Sequence, residues 1–173
     1  DAVVHLAGIA HLGPEIPESE YHRVNCGATI ALAKAAKTAG VKRFIFMSSI
    51  RAQSGPSAPT ILTEASHAEP NDPYGRSKLA AEAAVRDCGV PYTILRPVLI
   101  YGPDVKGNLE LLKRLAALPV PLPFAALSGR RSLVSIGNLA SAVVHSLVTP
   151  DCANETFIVA DPQAVTLPEI ITA

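Results

Sequence analysis

Three short apolar runs alternate with two alanine-rich stretches of helical period, and each stretch closes on a glycine. The runs are Ala2 to Ala7, Val41 to Ser48 and Val90 to Leu95; the stretches are residues 20–39, before Gly40, and 74–88, before Gly89. A short unbroken apolar run bounded by turn residues reads as a strand buried on both faces. Val24, Ala28, Ala31, Leu32, Ala35 and Ala36 recur at helical spacing, and Gly40 is placed to end that helix in a left-handed conformation. Strand–helix–strand–helix–strand predicts an α/β fold, a doubly wound parallel sheet with right-handed crossovers.

The rest of the chain is less regular. Residues 50–73 hold Gly55, Pro56, Pro59, Pro70 and Pro73 and read as an exposed loop. Beyond Tyr101 the pattern predicts a helix over Leu109–Ala117, extended chain over Pro119–Pro123 and a strand over Ser132–Ile136. A helix over 139–148 capped by Asn138 and a last strand over Thr156–Ala160 follow. This divides the chain into a sheet domain over 1–100, a second region over 101–155, and a return to the sheet and the start of a C-terminal helix over 156–173.

A length of 173 residues with 49% hydrophobic content suffices for a buried core and argues against disorder. Lys plus Arg (15) equals Asp plus Glu (15), so no net field recruits nucleic acid or an anionic membrane. Cys26, Cys88 and Cys152 are odd in number and widely spaced, which points to reduced thiols in a cytoplasmic protein. His5, His11, His22, His67 and His145 show no ligand spacing, so no metal is expected. No apolar run approaches the roughly 18 residues of a membrane span. The chain opens on Asp1-Ala2-Val3-Val4, inside a strand and without a signal-peptide layout. A fragment of a longer protein is expected.

In a doubly wound sheet, ligands lie beyond the carboxyl ends of the strands. Gly8, Ser49 and Pro97 each follow a strand, and Tyr74 opens the second helix on the same edge. In Tyr74-Gly75-Arg76-Ser77-Lys78 the tyrosine and lysine share one helix face, one turn apart. An ammonium so placed favours the phenolate, pulling the tyrosine from about 10 toward working pH. Ser49, delivered from a strand end, can bond the same substrate oxygen. Such a trio can take a proton from a hydroxyl while hydride leaves the same carbon, which is oxidoreductase-type chemistry. No Gly-rich loop before Tyr74 could bind a dinucleotide pyrophosphate.

These motifs belong to a longer series: His5-Leu6-Ala7-Gly8; Asn25 with Ala28-Thr29; Ser48-Ser49; Tyr74 with Lys78; Arg96-Pro97 through Tyr101-Gly102-Pro103; and Arg131. In order and spacing the series resembles the extended short-chain dehydrogenase/reductase family, the NAD-dependent nucleotide-sugar epimerase/dehydratase group. The resemblance implies a partial Rossmann-type domain over 1–100 lacking its first strands, plus part of a small substrate-binding region. It implies catalysis by Ser49, Tyr74 and Lys78. It places Leu6, Ala7, Gly8, Asn25, Ser48, Tyr74, Lys78, Pro97 and Leu99 at NAD, with NADP left open. It places Ser49, Asn108 and Arg131 at the substrate. Plainer readings stand beside these: a tight turn at Gly8, an interior amide bonding nearby backbone at Asn25, a strand end at Arg96-Pro97, a solvated pair at Arg130-Arg131. Ser48 reads as structural, and Lys106 accompanies Asn108 as a weaker candidate. Asn138 stands where most members have Asp.

Val105-Lys106-Gly107-Asn108 and Arg130-Arg131-Ser132-Leu133-Val134 look like a bacterial subgroup acting in lipopolysaccharide and other surface-polysaccharide biosynthesis. The implied activity is UDP-sugar 4-epimerisation, or one-way reduction of a 4-keto nucleotide sugar. A homodimer through helices 20–39 and 74–88 and a cytoplasmic location accompany it. Some relatives are redox-sensing binding proteins, but those typically lose the tyrosine, which this chain keeps. The family's Gly-x-x-Gly-x-x-Gly loop does not occur here. The chain alone is therefore expected to be catalytically silent, to bind NAD poorly and to self-associate through an open Val3–Val4 strand edge.

Overall fold

Parallel pairing joins β1 (Ala2–His5), β2 (Arg43–Met47) and β3 (Tyr92–Pro97), with Val3 opposite Phe44 and Phe44 opposite Tyr92. These are the apolar runs of the sequence, trimmed by one or two residues at their ends. The computed structural model describes residues 1–10, 16–103 and 129–172, and the helix and extended stretch expected within 104–128 lie outside them. Beyond β3 come β4 (Leu99–Tyr101), β5 (Arg130–Arg131), β6 (Leu133–Ser135), β7 (Glu155–Val159) and β8 (Val165–Thr166). The main sheet runs β1-β2-β3-β7, all parallel; β4 pairs with β6 and β5 with β8.

Side chains alternate across the sheet. Phe44, Phe46 and Ile94 point to one face and pack with Cys26, Ala33, Ala36, Ala81, Val85 and Val90. That face is covered by α2 (Ala28–Thr38) and α4 (Pro73–Asp87). The helix α5 (Ile136–Val148) packs against β2 and β3, with Leu95 turned toward its Ala142 side. Helices on both faces explain why the strands are continuously apolar. Phe44, Ile45, Phe46, Ile94 and Leu95 are essentially fully buried, and each contributes about 1.5–3 kcal/mol of transfer free energy. Alanines at the contacts between α2 and α4 let the two helix backbones approach closely.

Four details depart from the sequence expectations. The helix expected over 20–39 is three segments: α1 (Glu18–Tyr21), a π-helical turn His22–Gly27, and α2. The loop 50–73 opens with a helical turn, α3 (Arg51–Ser54), closed by Ala52 N to Ser49 O and Gly55 N to Arg51 O. Buried Gln53 then holds the loop by donating to Thr63 O and Ser66 O. The cap of α5 is Ser135, not Asn138: the helix starts at Ile136, and Ser135 Oγ accepts from Asn138 N at 3.0 Å. The Asn138 amide instead donates to Asp161 Oδ1 at 2.7 Å. Finally, α5 lies within the region divided off as 101–155 yet packs on the main sheet. The last described helix, α6 (Leu167–Thr172), follows β8.

Candidate active site

Local sequence explains where α4 begins. Asp72 is extended and its Oδ1 accepts from Gly75 N at 3.0 Å, while Pro73 occupies the first helical position, where a missing N–H costs nothing. Gly89, at φ +74, lies just past the other end. Between these signals Tyr74, Lys78 and Glu82 fall in one column down the helix, from the carboxyl edge of the sheet toward its interior.

At the edge Ser49 sits beside Tyr74, near enough to favour its phenolate. Ser49 Oγ also accepts from the Arg51 backbone N–H at 3.2 Å. The Arg51 guanidinium lies 5.4 Å from the Tyr74 ring centroid and pairs with Asp72 at 3.0 Å. Tyr21 meets the Tyr74 ring edge-on. One turn along, Lys78 Nζ donates to Met47 O at 2.8 Å and sits 4.9 Å from the Phe46 ring. Gly8 lies beside it: a side-chain carbon on Gly8 would stand 3.2 Å from Lys78 Nζ and 2.9 Å from Asn25 Oδ1.

The electrostatics differ from the simple tyrosine–lysine picture. Burial pushes the Tyr74 phenol above its ordinary value of 10, more than Ser49 and the Arg51 charge pull it down; Asp72 and Tyr21 add to the rise. Burial also lowers Lys78 to about 8, although Glu82 favours its charged form. The expected Lys78 pull on Tyr74 is thus not what this geometry produces. The ammonium is turned to the Met47 carbonyl, and among the described residues the cation facing the ring is Arg51. His5 is lowered by burial and by Lys78, and its Nε2 shares a 2.8 Å hydrogen bond with Thr29 Oγ1.

Beneath this edge lies a buried ionic network. Glu82 accepts from Ser48 Oγ at 2.6 Å, from Arg96 Nε and Nη2 at 2.8 and 2.6 Å, and from Arg86 Nη2 at 3.0 Å. Burial alone raises the Glu82 carboxyl, but these donors, Arg96 foremost, outweigh it and hold the group below the usual carboxylate range. The hydroxyl of Ser48 is therefore committed to Glu82 and does not point out toward a ligand. The Asn25 amide is likewise engaged within the protein. Buried at the π-helical turn, it accepts from Ile9 N and donates to Ile9 O and Ser77 Oγ. Its side chain holds the loop after β1, and its backbone carbonyl accepts from Thr29 Oγ1 at 2.6 Å.

The other expected residues spread out. Leu6, Ala7 and Gly8 are exposed after β1. Pro97 is buried at the end of β3, and its carbonyl accepts from Ile50 N at 3.0 Å, beside Ser49. Leu99 is in the separate β4–β6 pair. Arg131 is exposed in β5, opposite Val165, and Asn108 and Lys106 lie outside the described residues. Sequence reasoning missed Arg51, Asp72, Ser77 and Glu82, and took Arg96 only as part of the Arg96-Pro97 motif. One signal was available: Glu82 stands one turn after Lys78 on the face that buries Ala81 and Val85, where a carboxylate needs a partner.

A parallel α/β sheet with helices on both faces, carrying serine, tyrosine and lysine at its carboxyl edge, defines a Rossmann-type protein. The chain belongs to the NAD dependent epimerase/dehydratase family, whose profile matches residues 1–160. It is 40% identical over 179 aligned positions to UDP-glucose 4-epimerase of Vibrio cholerae, covering 98% of this chain and 54% of that protein. It is 34% identical to ceramide reductase of Caulobacter vibrioides, covering 87% of this chain and 41% of that one. Among solved structures, MoeE5 in complex with UDP-glucose and NAD superposes with a TM-score of 0.84 at 25% identity, covering 99% of this chain and 60% of that one. The chain spans about half the length of the curated relatives it matches.

Proposed function

We propose that the chain carries the proton-transfer centre of a NAD-dependent UDP-sugar 4-epimerase. The observation that carries this reading is the meeting of Ser49 and Tyr74 at the carboxyl edge of the sheet, one helical turn from Lys78. Tyr74 takes the proton of the sugar C4 hydroxyl as general base and returns it after inversion. Ser49 holds the same oxygen in line. Lys78, near pH 8 already half-neutral, can exchange a proton with a neighbouring hydroxyl at little cost. Arg131 and Asn108 are assigned to the nucleotide diphosphate, where binding energy from a remote group positions the reacting carbon.

The residues present fit the dinucleotide at one end. Gly8 leaves its backbone open beside Lys78, in a space that a Cβ would fill. Leu6, Ala7 and Gly8 would line the cofactor, with Lys78 beside its ribose and Pro97 and Leu99 at the nicotinamide. When bound, NAD accepts and returns the hydride that makes inversion at C4 possible. A homodimer is part of the reading, supported by exposed Ala31, Ala35 and Ala83 on the adjacent helices α2 and α4. Cytoplasmic location is supported by three free thiols at Cys26, Cys88 and Cys152. Among the described residues, no helix is long and apolar enough to cross a membrane.

The resemblance to ceramide reductase favours a second reading, one-way reduction by the same residues. The two readings separate in one assay. The full-length protein is given a panel of UDP-sugars, with and without added reduced nicotinamide, and Tyr74→Phe is run beside the wild type. Inversion without net cofactor consumption, lost by about 10²–10⁴-fold in Tyr74→Phe, is the expected result. Inversion that survives the substitution would overturn the role of Tyr74, and stoichiometric cofactor consumption would replace epimerase by reductase.

A further inference from the structure

Arg51 stands between the two groups that the proposed reaction uses. Its backbone N–H donates to Ser49 Oγ at 3.2 Å. Its guanidinium lies over the Tyr74 ring, 5.4 Å from the centroid. The same guanidinium bonds Asp72 through Nε at 3.3 Å and pairs with it through Nη2 at 3.0 Å, and Asp72 caps the helix that carries Tyr74. The backbones are also locked together. A Cβ on Gly75 would collide with the Arg51 carbonyl oxygen, so only glycine lets α4 start this close to α3. Arg51 is a quarter exposed and Asp72 less, so the pair borders solvent without being fully screened by it.

We propose that Arg51 is a positioning residue for proton transfer at Tyr74, fixing Ser49 through its backbone and stabilising the ionised phenol through its side chain. The inference rests on reading Tyr74 as the proton-transfer group. A cation over an aromatic face is attracted to it, and attraction grows when the ring gains a full negative charge on its oxygen. A general base is useful only if its ionised form is reachable near working pH. Among the described residues, Ser49 and Arg51 favour the phenolate of Tyr74, and Asp72 and Tyr21 oppose it, on top of the burial that raises it. Lys78 is directed to Met47 O, so among the described residues Arg51 is the cation that counters the burial.

The charge signs give a test that a purely structural role cannot imitate. Glutamine at Arg51 removes the cation. Asparagine at Asp72 removes the anion yet remains a good helix cap. With the tyrosine ring carbons isotopically labelled, nuclear magnetic resonance follows the titration of Tyr74 apart from Tyr21, Tyr92 and Tyr101. Arg51→Gln is expected to raise the Tyr74 midpoint by about one pH unit, Asp72→Asn to lower it, and Arg51→Lys to stay near the wild type. Movement of Arg51→Gln and Asp72→Asn in the same direction, or an unmoved midpoint in Arg51→Gln, overturns the proposal. Should Arg51→Gln not fold, a downward shift in Asp72→Asn with a wild-type midpoint in Arg51→Lys supports it, and an upward shift in Asp72→Asn refutes it. The titration needs neither substrate nor cofactor. Its failure therefore removes Arg51 alone, whereas an active Tyr74→Phe enzyme would remove the reading beneath it.

Discussion

Lys78 is predicted to cost the fold stability at neutral pH, and replacing it with methionine should return that stability. The side chain is 4% exposed and its ammonium titrates at about 8 instead of 10.5 because burial disfavours the charge. That difference corresponds to about 3 kcal/mol at about 1.4 kcal/mol per pH unit. Lys78→Met also loses the donor to Met47 O, worth about 1 kcal/mol. The net expectation is a gain of about 2 kcal/mol near neutral pH, with side-chain volume nearly unchanged. The sign follows from proton uptake. Between about 8 and 10.5 the unfolded chain binds more protons than the folded chain, so wild-type stability rises with pH across that window. Below it the full penalty is present. Urea unfolding of both proteins at neutral pH and again in the upper part of the window measures both effects. The variant should be the more stable at neutral pH and should lack the alkaline rise. A variant that is less stable at neutral pH, or a wild-type curve that is flat or falling from about 8 toward 10, would refute the reasoning. A substitution that stabilises the fold while removing the proposed activity would mark Lys78 as retained for function.

Two further outcomes are expected. Glu82→Gln leaves Arg96 buried and Arg86 half-buried without a counter-charge. It should destabilise by about 3–5 kcal/mol in thermal or urea unfolding. Because the Glu82 carboxyl is held below its ordinary 4.5, its contribution is complete above that value and is lost as pH falls through the lowered one. Wild-type stability should therefore drop more steeply in acid than that of the variant, and parallel acid curves would argue against the network. Gly75→Ala puts a methyl against the Arg51 carbonyl and Pro70 Cβ; a loss of about 1–3 kcal/mol is expected, and an unchanged unfolding midpoint would contradict the tight seat of α4 on α3.

The elements that were legible in the sequence are those set by near neighbours. Phe44 and Phe46 alternate with Ile45 whatever surrounds them, and Gly89 marks the end of α4 by backbone chemistry within a few residues. The cap of α5 was misplaced for a local reason too. Ile136 and Gly137 carry no periodic signal, so the spacing starts the helix late, at 139, and puts its cap on Asn138. The π-helical turn was not legible, since its composition fits an α-helix and its extra residue is set by Asn25 reaching Ile9 and Ser77.

The same division runs through the site. The sequence alone determined the parallel α/β order, the sheet edge that carries Ser49 and Tyr74, and the helical phase that puts Tyr74 and Lys78 on one face, because strand and helix periods are properties of adjacent residues. Only the tertiary structure decided what those side chains experience. Burial raises Tyr74 and lowers Lys78, Arg51 becomes the cation over the ring, and Ser48 and Arg96 converge on Glu82 from distant points in the chain. Desolvation and charge pairing depend on which segments pack together, and no spacing along the chain encodes that.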